Sequence, residues 1–366
     1  MNDSRLEDER YQERVLPLVS RSFALTIPQL PAELRIPVAN AYLLCRIADT
    51  IEDESALSTA ARLKALRRFV RVIREDDRPA RFAEELLPQL SRRTSPAERE
   101  LVRNIERVMR VNSRLHAAQR CAIESCVRVM CEGMHRFQRT GGLQGLPHMR
   151  ALDEYCYVVA GVVGELLTEL FCEYSPKIAQ RREQLHALDA SFGQALQLTN
   201  ILKDIWEDRG EGACWLPQDI FSRHDIDIAA LSPLYRDGDF ADALSELIGV
   251  AHAHLRNALS YTLLIPTGES GIRRFCLWAI GLALLTLRNL QRKPYFTSSK
   301  QVKVSHWGLI ATQLLTSALA RHDWALSKLF QWASRGLPLS SLASASRPSR
   351  GGVGSREALA PLGQFR

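Results

Sequence analysis

Two short acidic runs carry the chemistry this sequence could do. Asp49-Thr50-Ile51-Glu52-Asp53 and Asp204-Ile205-Trp206-Glu207-Asp208 repeat the pattern D-x-x-E-D. On a helix, positions i, i+3 and i+4 share a face, so each run presents three carboxylates in one patch. Like charges held so close repel unless a cation lies between them. Each run also continues apolar sequence, Ile36 to Ala48 before the first and Phe192 to Leu202 before the second. Acid clusters at the end of apolar helix surface describe a greasy pocket with a divalent-metal mouth. All-oxygen donors favour Mg2+, which keeps part of its water and bridges carboxylates to substrate phosphates. Either run alone reads more plainly as a solvated acidic face. Two copies favour one shared metal site built from Asp49, Glu52, Asp53, Asp204, Glu207 and Asp208.

If the two patches face each other, metal ions between them would hold a diphosphate and make it a leaving group. Its departure from an allylic chain leaves a carbocation. Such a cation needs an apolar pocket that excludes water, and aromatic faces to stabilise it. Phe23, Tyr42, Tyr155, Tyr157 and Phe192 stand near the motifs for that role, and each is equally readable as an ordinary core aromatic. Arg21 and Arg46 lead into the first motif, Lys203 and Arg209 flank the second, and Ser20 and Ser22 can donate hydrogen bonds to phosphate oxygens. Arg46 could also pair with Asp49 or Asp53. A third segment, Tyr155 to Gly164, is helical by its flanks yet carries Gly161 and Gly164. A glycine inside a helix costs up to about 1 kcal/mol against alanine. Close helix packing or room for a ligand must offset that.

The elements that must position these groups are helical. Period-2 alternation is scarce and helical periodicity is common. Helices are expected near 7–18, 31–54, 58–75, 80–91, 96–111, 114–139, 148–172, 183–208, 239–263, 268–292 and 305–334, separated by proline and glycine breakers. The expectation is one all-α domain over 1–335, a multi-helix bundle around a central cavity, followed by a basic Ser/Gly/Pro-rich tail over 336–366 without ordered structure.

The 366 residues carry a net charge of +7 and a pI of about 9.1. That suits anionic substrates or an anionic membrane surface. Nucleic acid is disfavoured, because no zinc finger, RNP motif or dense basic stripe is present. The eight cysteines form no C-x-x-C, and the start MNDSRLEDER is too polar for a signal peptide. The longest apolar run, Phe275 to Leu287, has 13 residues, short of the ~20 that span a bilayer. A cytoplasmic protein with free thiols and no transmembrane segment is expected. No G-x-S-x-G or H-E-x-x-H points to a hydrolase, and no G-x-G-x-x-G points to a nicotinamide fold.

Four blocks in order carry a resemblance: Ser20-Arg21-Ser22-Phe23-Ala24, Arg46 to Asp53, Tyr155 to Gly164, and Gln197 to Asp208. With them the chain resembles the squalene/phytoene synthases, head-to-head prenyl transferases of the trans-isoprenoid synthase fold, across roughly residues 15–335. Within that family it leans toward the squalene synthases. Gln301-Val302-Lys303-Val304 is similar to a lysine-containing stretch that follows their last core helices. Gly212 to Pro217 sits where the family has an aromatic-Pro loop.

The resemblance implies two farnesyl diphosphates condensed with Mg2+ to presqualene diphosphate, then rearrangement and quenching by hydride from NADPH. It implies that Asp49, Asp53, Asp204 and Asp208 hold Mg2+ with Glu52 and Glu207 in support. Ser20, Arg21, Ser22, Phe23, Arg46, Gly161, Gln197, Asn200 and Lys203 would contact substrate. Tyr155 would assist proton removal as the cyclopropane closes, and Lys303 would contact the nicotinamide phosphate. Two departures stand out. Lys203 occupies a place where arginine is usual, and lysine lacks arginine's bidentate geometry. The hydrophobic C-terminal anchor of the eukaryotic enzymes is replaced by a polar tail, which implies a bacterial-type enzyme, soluble or peripheral on the inner membrane face, with a monomer favoured. Within the family, arrest at presqualene diphosphate, dehydrosqualene and phytoene remain open as products. The alternative from another class is a helical binding protein with decorative acidic faces.

Overall fold

The computed structural model describes residues 2–20, 23–138 and 142–342. Among the described residues there is no strand, and the one β-bridge joins Leu146 to Pro217. The all-α expectation holds, and the reasons are local. Pro31 opens the helix Ala32–Glu52, which buries residues on nearly every side, from Leu34 through Leu44 and Ala48 to Ile51. A helix apolar all round belongs inside a bundle. It packs on Ala117–Gln138, Thr59–Ile73, Asn2–Val19 and Val162–Tyr174. The second motif leaves Asp189–Lys203, which is packed against Gly238–Leu264, Ser270–Arg292 and Val162–Tyr174.

The boundaries differ from expectation at informative places. The stretch expected as one helix over 96–111 divides at Asn104, whose side chain donates to Glu100 O at 2.9 Å and competes with the helix ladder. The stretch expected over 183–208 is three helices, Arg182–His186, Asp189–Lys203 and Ile205–Gly210. The stretch expected over 305–334 is divided at residues 320–322. Between Met149–Cys156 and Val162–Tyr174 the chain makes a π-helical turn, Tyr157–Gly161. Such insertions re-aim the side chains around them and concentrate at functional sites.

The glycines of this region answer to packing. A Cβ on Gly164 would lie 2.0 Å from Asp189 O, and one on Gly193 would lie 1.9 Å from Ala160 O. The π turn and the second-motif helix therefore touch backbone to backbone. Gly161, expected to contact substrate, faces the Tyr157 ring and Ala190 O in the same seam.

Two helices, Met149–Tyr174 and Ser270–Arg292, are long and apolar enough to cross a membrane, contrary to the expectation drawn from uninterrupted apolar runs. Their apolar windows are 67% and 56% buried inside the fold, which accounts for their composition. All eight cysteines are free thiols, seven of them buried. The fold continues past the expected domain boundary at 335. Ser340 N donates to Gly249 O at 3.2 Å and Pro338 O meets His252 Nδ1 at 2.7 Å. The expected tail from 343 onward lies outside the described residues.

Gly164→Ala should destabilise the protein by about 3 kcal/mol or more, since the obstacle is backbone. Gly210→Ala, with no neighbour within 4 Å, should be near neutral. Urea unfolding of the two variants compares them directly, and equal midpoints would refute the seam.

Candidate active site

Asp49 and Glu52 lie in the last turn of Ala32–Glu52, and Asp53 caps it with its N–H on Asp49 O at 2.8 Å. Asp204 sits at the break between two helices, with φ −101° and ψ 13°, in the sparsely allowed bridge region where active-site residues recur. Asp208 N still reaches Asp204 O at 2.9 Å. So the second motif keeps i, i+4 spacing without a continuous helix.

The two motifs feel each other. Burial, then the charges of Asp204, Glu211 and Asp53, push Asp208 up to about 7. Burial and Asp53 push Asp49 up to about 7, against the pull of Arg46. Asp53 is pushed up to about 6 by burial, with Glu98 and Glu211 adding to it and Arg46 and Arg62 opposing. Glu52 is raised by burial and by Asp53 and Asp49. This is a concentration of carboxylate that nearby Arg46, Arg62 and Lys203 do not balance.

The cations are partly committed. Arg46 is bound to Glu98 and lies 3.9 Å from Asp49, with its Nε buried and unpartnered. Lys203 Nζ is 2.8 Å from Asp204. Arg209 donates to the carbonyls of Leu143, Ala229 and Leu231, a loop clamp. Arg21 and Ser22 lie outside the described residues. Buried Ser20 accepts from Phe23 N at 3.0 Å, and Phe23 packs on Tyr42 with ring centroids 5.0 Å apart. Half-buried Gln197 and exposed Asn200 precede Asp204 by seven and four residues on the same helix.

Tyr155 is buried and stacked flat on Trp215, with centroids 4.0 Å apart and planes at 7°, and Phe137 meets its edge at 5.4 Å. Burial and the charges of Glu52, Asp53 and Asp49 raise its hydroxyl, which places the ring beside the first motif. Tyr157 is elsewhere engaged, its hydroxyl 3.0 Å from Glu165. Phe192 packs on Tyr261 at 6.1 Å.

Glu207, expected beside the metal, accepts from Ser299 N at 2.8 Å and Ser299 Oγ at 2.7 Å. Burial pushes it up, but the Ser299 bonds win and hold it below the usual range. Next to it Trp206 Nε1 donates to Phe296 O at 2.6 Å. These bonds pin the strap between residues 294 and 305 to the second motif, and Lys303 lies exposed on that strap.

Sequence reasoning missed Glu98, Trp215, Glu54 and Ser299. Glu98 had a signal, the Ser95-Pro96-Ala97-Glu98 capping box, whose Glu doubles as Arg46's partner. Glu54 accepts from Ser91 N, Thr94 Oγ1 and Ala56 N, and against the opposing effect of burial these bonds hold it at about 2. It anchors the end of the first motif.

Does this donor set fit magnesium? It is all carboxylate and under-neutralised, as a divalent cation requires. Among the described residues no three His, Cys, Asp or Glu form a ready cage. A magnesium ion here would need waters and substrate phosphate to complete its shell. Two surface cavities, of about 460 and 350 Å3, are lined by residues such as Asp76 and Arg110, and Arg256 and Gln331, away from both motifs.

The profile of the family described as Squalene/phytoene synthase matches residues 16–308, and the chain belongs to that family. A squalene synthase of Gibberella zeae is 30% identical over 299 residues, covering 80% of this chain and 61% of that protein. One of Cochliobolus lunatus is 30% identical over 292 residues, covering 79% and 67%. The chain thus spans about two thirds of the length of these relatives. TcSQS in complex with the ligand BPH1237 shares the fold at a TM-score of 0.67 and 23% identity, covering 90% of this chain and 98% of that one. A dehydrosqualene synthase with a ligand does so at 0.62 and 22%, covering 86% and 97%.

Asp208→Asn removes one of the repelling charges. The variant should therefore melt higher than wild type in Mg2+-free buffer at pH 8, and should gain less on adding millimolar Mg2+. A lower melting temperature with an undiminished Mg2+ shift would remove Asp208 from the cluster.

Proposed function

We propose that the protein is a squalene synthase, condensing two farnesyl diphosphates head to head and reducing the presqualene diphosphate so formed to squalene. The observation that carries this reading is that Asp53 of the first motif and Asp204 of the second both bear on Asp208, while Tyr155, stacked on Trp215, feels the first motif. The names of the relatives point the same way. Magnesium, when bound, would neutralise diphosphate and let it leave, and a bound nicotinamide would supply hydride.

The chain's own residues have distinct work. Asp49, Asp53, Asp204 and Asp208 would hold the metal, with Glu52 behind the first pair. Arg46 and Lys203 would meet diphosphate oxygens, Arg46 fixed in place by Glu98. Gln197 and Asn200 lie on the approach to Asp204, and Phe23 beside Tyr42 would face the prenyl chain. Arg21 and Ser22 are assigned to diphosphate by motif alone, with Ser20 alongside. Lys303, on the strap tied to Glu207, would meet the nicotinamide phosphate.

Tyr155 is the group for proton transfer. Its raised pKa keeps it a neutral phenol near pH 7, and a neutral phenol can pass a proton only by relay. It accepts one on oxygen while giving its own to an acceptor. The carboxylates and diphosphate beside it are such acceptors. Trp215 and Phe137 present aromatic surface at the same point, where positive charge on the prenyl chain would be stabilised. The reading includes a cytoplasmic enzyme in peripheral contact with the membrane that receives its product.

Purified protein with farnesyl diphosphate and Mg2+ should release diphosphate, and adding NADPH should yield squalene. Dehydrosqualene or presqualene diphosphate persisting with NADPH would reject the reductive half. Asp49→Asn and Asp204→Asn should each lower turnover by more than the ~10–100-fold typical of losing an outer-sphere metal partner.

Tyr155→Phe should slow the cyclopropane-forming half by roughly 10²–10⁴-fold, the range of a lost acid–base group. Its rate is read by quenched-flow analysis of presqualene diphosphate. A normal rate would remove Tyr155 from the chemistry.

A further inference from the structure

The helix His306–Leu319 is built inside out. Trp307, Ala311, Leu314, Leu315 and Ala318 fall on one arc of its surface, and every one is exposed, Trp307 by 78% and Leu314 by 66%. The opposite side buries Thr312 and Thr316. That side lies so close to Ser270–Arg292 that a Cβ on Gly281 would be 2.4 Å from Thr312 Cγ2. The threonine hydroxyls are satisfied within their own helix, Thr312 on Gly308 O at 2.7 Å and Thr316 on Thr312 O at 2.6 Å. Threonines seated against the neighbouring helix and Trp307, Leu314 and Leu315 outward, with Leu309 and Leu319 half-buried, is the pattern of a helix whose outer solvent is lipid. The adjoining helix, Asp323–Ala333, exposes Trp324 by 75% and Trp332 by 58%, with Arg288 over the Trp332 ring at 5.9 Å.

The sequence that builds this face is strongly cationic. Residues 270–342 hold ten Lys and Arg and a single acid, Asp323, which is bound by the fully buried Arg273. Exposed tryptophans with an apolar stripe and an excess of cations match the interface of an anionic bilayer. A second copy of the chain fits worse, because it would set these cations against themselves. We propose that the His306–Leu319 and Asp323–Ala333 helices form a docking surface for anionic lipid. This rests on the peripheral contact proposed above and gives it a location. It would let a water-insoluble hydrocarbon leave without crossing bulk water.

The test needs no substrate, so its failure leaves the catalytic reading standing. Full-length protein is floated with vesicles of phosphatidylcholine alone or with phosphatidylglycerol added, at low and high salt. The expected result is binding to the mixed vesicles, with blue-shifted tryptophan emission and loss in high salt. Trp307→Ser/Leu314→Ser should weaken binding by roughly tenfold or more. Arg321→Gln and Lys328→Gln should each weaken it about fivefold. All should keep wild-type far-UV circular dichroism and turnover on soluble farnesyl diphosphate. Absence of flotation by the wild type, or unchanged binding by the folded double variant, would overturn the proposal. So would light scattering that shows a dimer which the double variant dissolves, since the face would then be a contact between copies.

Discussion

Repulsion among carboxylates is the constraint on which the rest of this structure depends. Asp49, Asp53 and Asp208 are each pushed well above the ordinary range by burial and by like charge, and the push runs from one motif to the other. Such a cluster persists only because the scaffold holds it. The helix that ends in the first motif is buried on nearly all sides. The helix that leads to the second is locked by a glycine seam against the π turn. Neither can retreat from the other without breaking core contacts. The fold thus holds mutually repelling acids in place, and on the proposed reading the binding energy of a cation would go into neutralisation and little into rearrangement.

The same seam sets the position of Tyr155, the residue proposed for proton transfer. The π turn begins two residues after Tyr155, and the backbone contact of Gly164 with Asp189 fixes how deep the whole segment lies. Trp215 then covers the Tyr155 ring from the loop after the second motif. One tyrosine is therefore held by elements belonging to both motifs. A shift in either helix would change the acids and the phenol together.

Much of this was legible in the sequence, and the limits have physical causes. The acid runs stood out because the same D-x-x-E-D pattern occurs twice after apolar helix, whereas either run alone reads as a solvated face. The glycines of the third segment announced a close approach, and packing proved to be its cause. The break at Asp204 was not legible, since Gln197 to Asp208 has unbroken helical periodicity and only tertiary contacts decide its bend. The resemblance gives Glu207 and Glu52 the same supporting role. The two positions diverge because Glu207 has a partner 92 residues away, Ser299, that no local pattern discloses. Trp215 was noted only as part of a loop, because stacking on Tyr155 depends on how that loop returns.

The inversion of His306–Leu319 follows a related logic. Periodicity reports which residues of a helix share a face and says nothing of which face is inward. The decision lies in the partner. The missing side chain at Gly281 on Ser270–Arg292 admits Thr312 closely, so the helix seats its threonine side there and turns Leu314 and Leu315 out. Threonine can be buried there because its hydroxyl bonds to its own helix at i−4, leaving no unpaired group inside. The exposed apolar stripe is then a consequence of close packing on the other side. Its surroundings are strongly cationic, and the one acid there, half-exposed Asp323, is paired with buried Arg273.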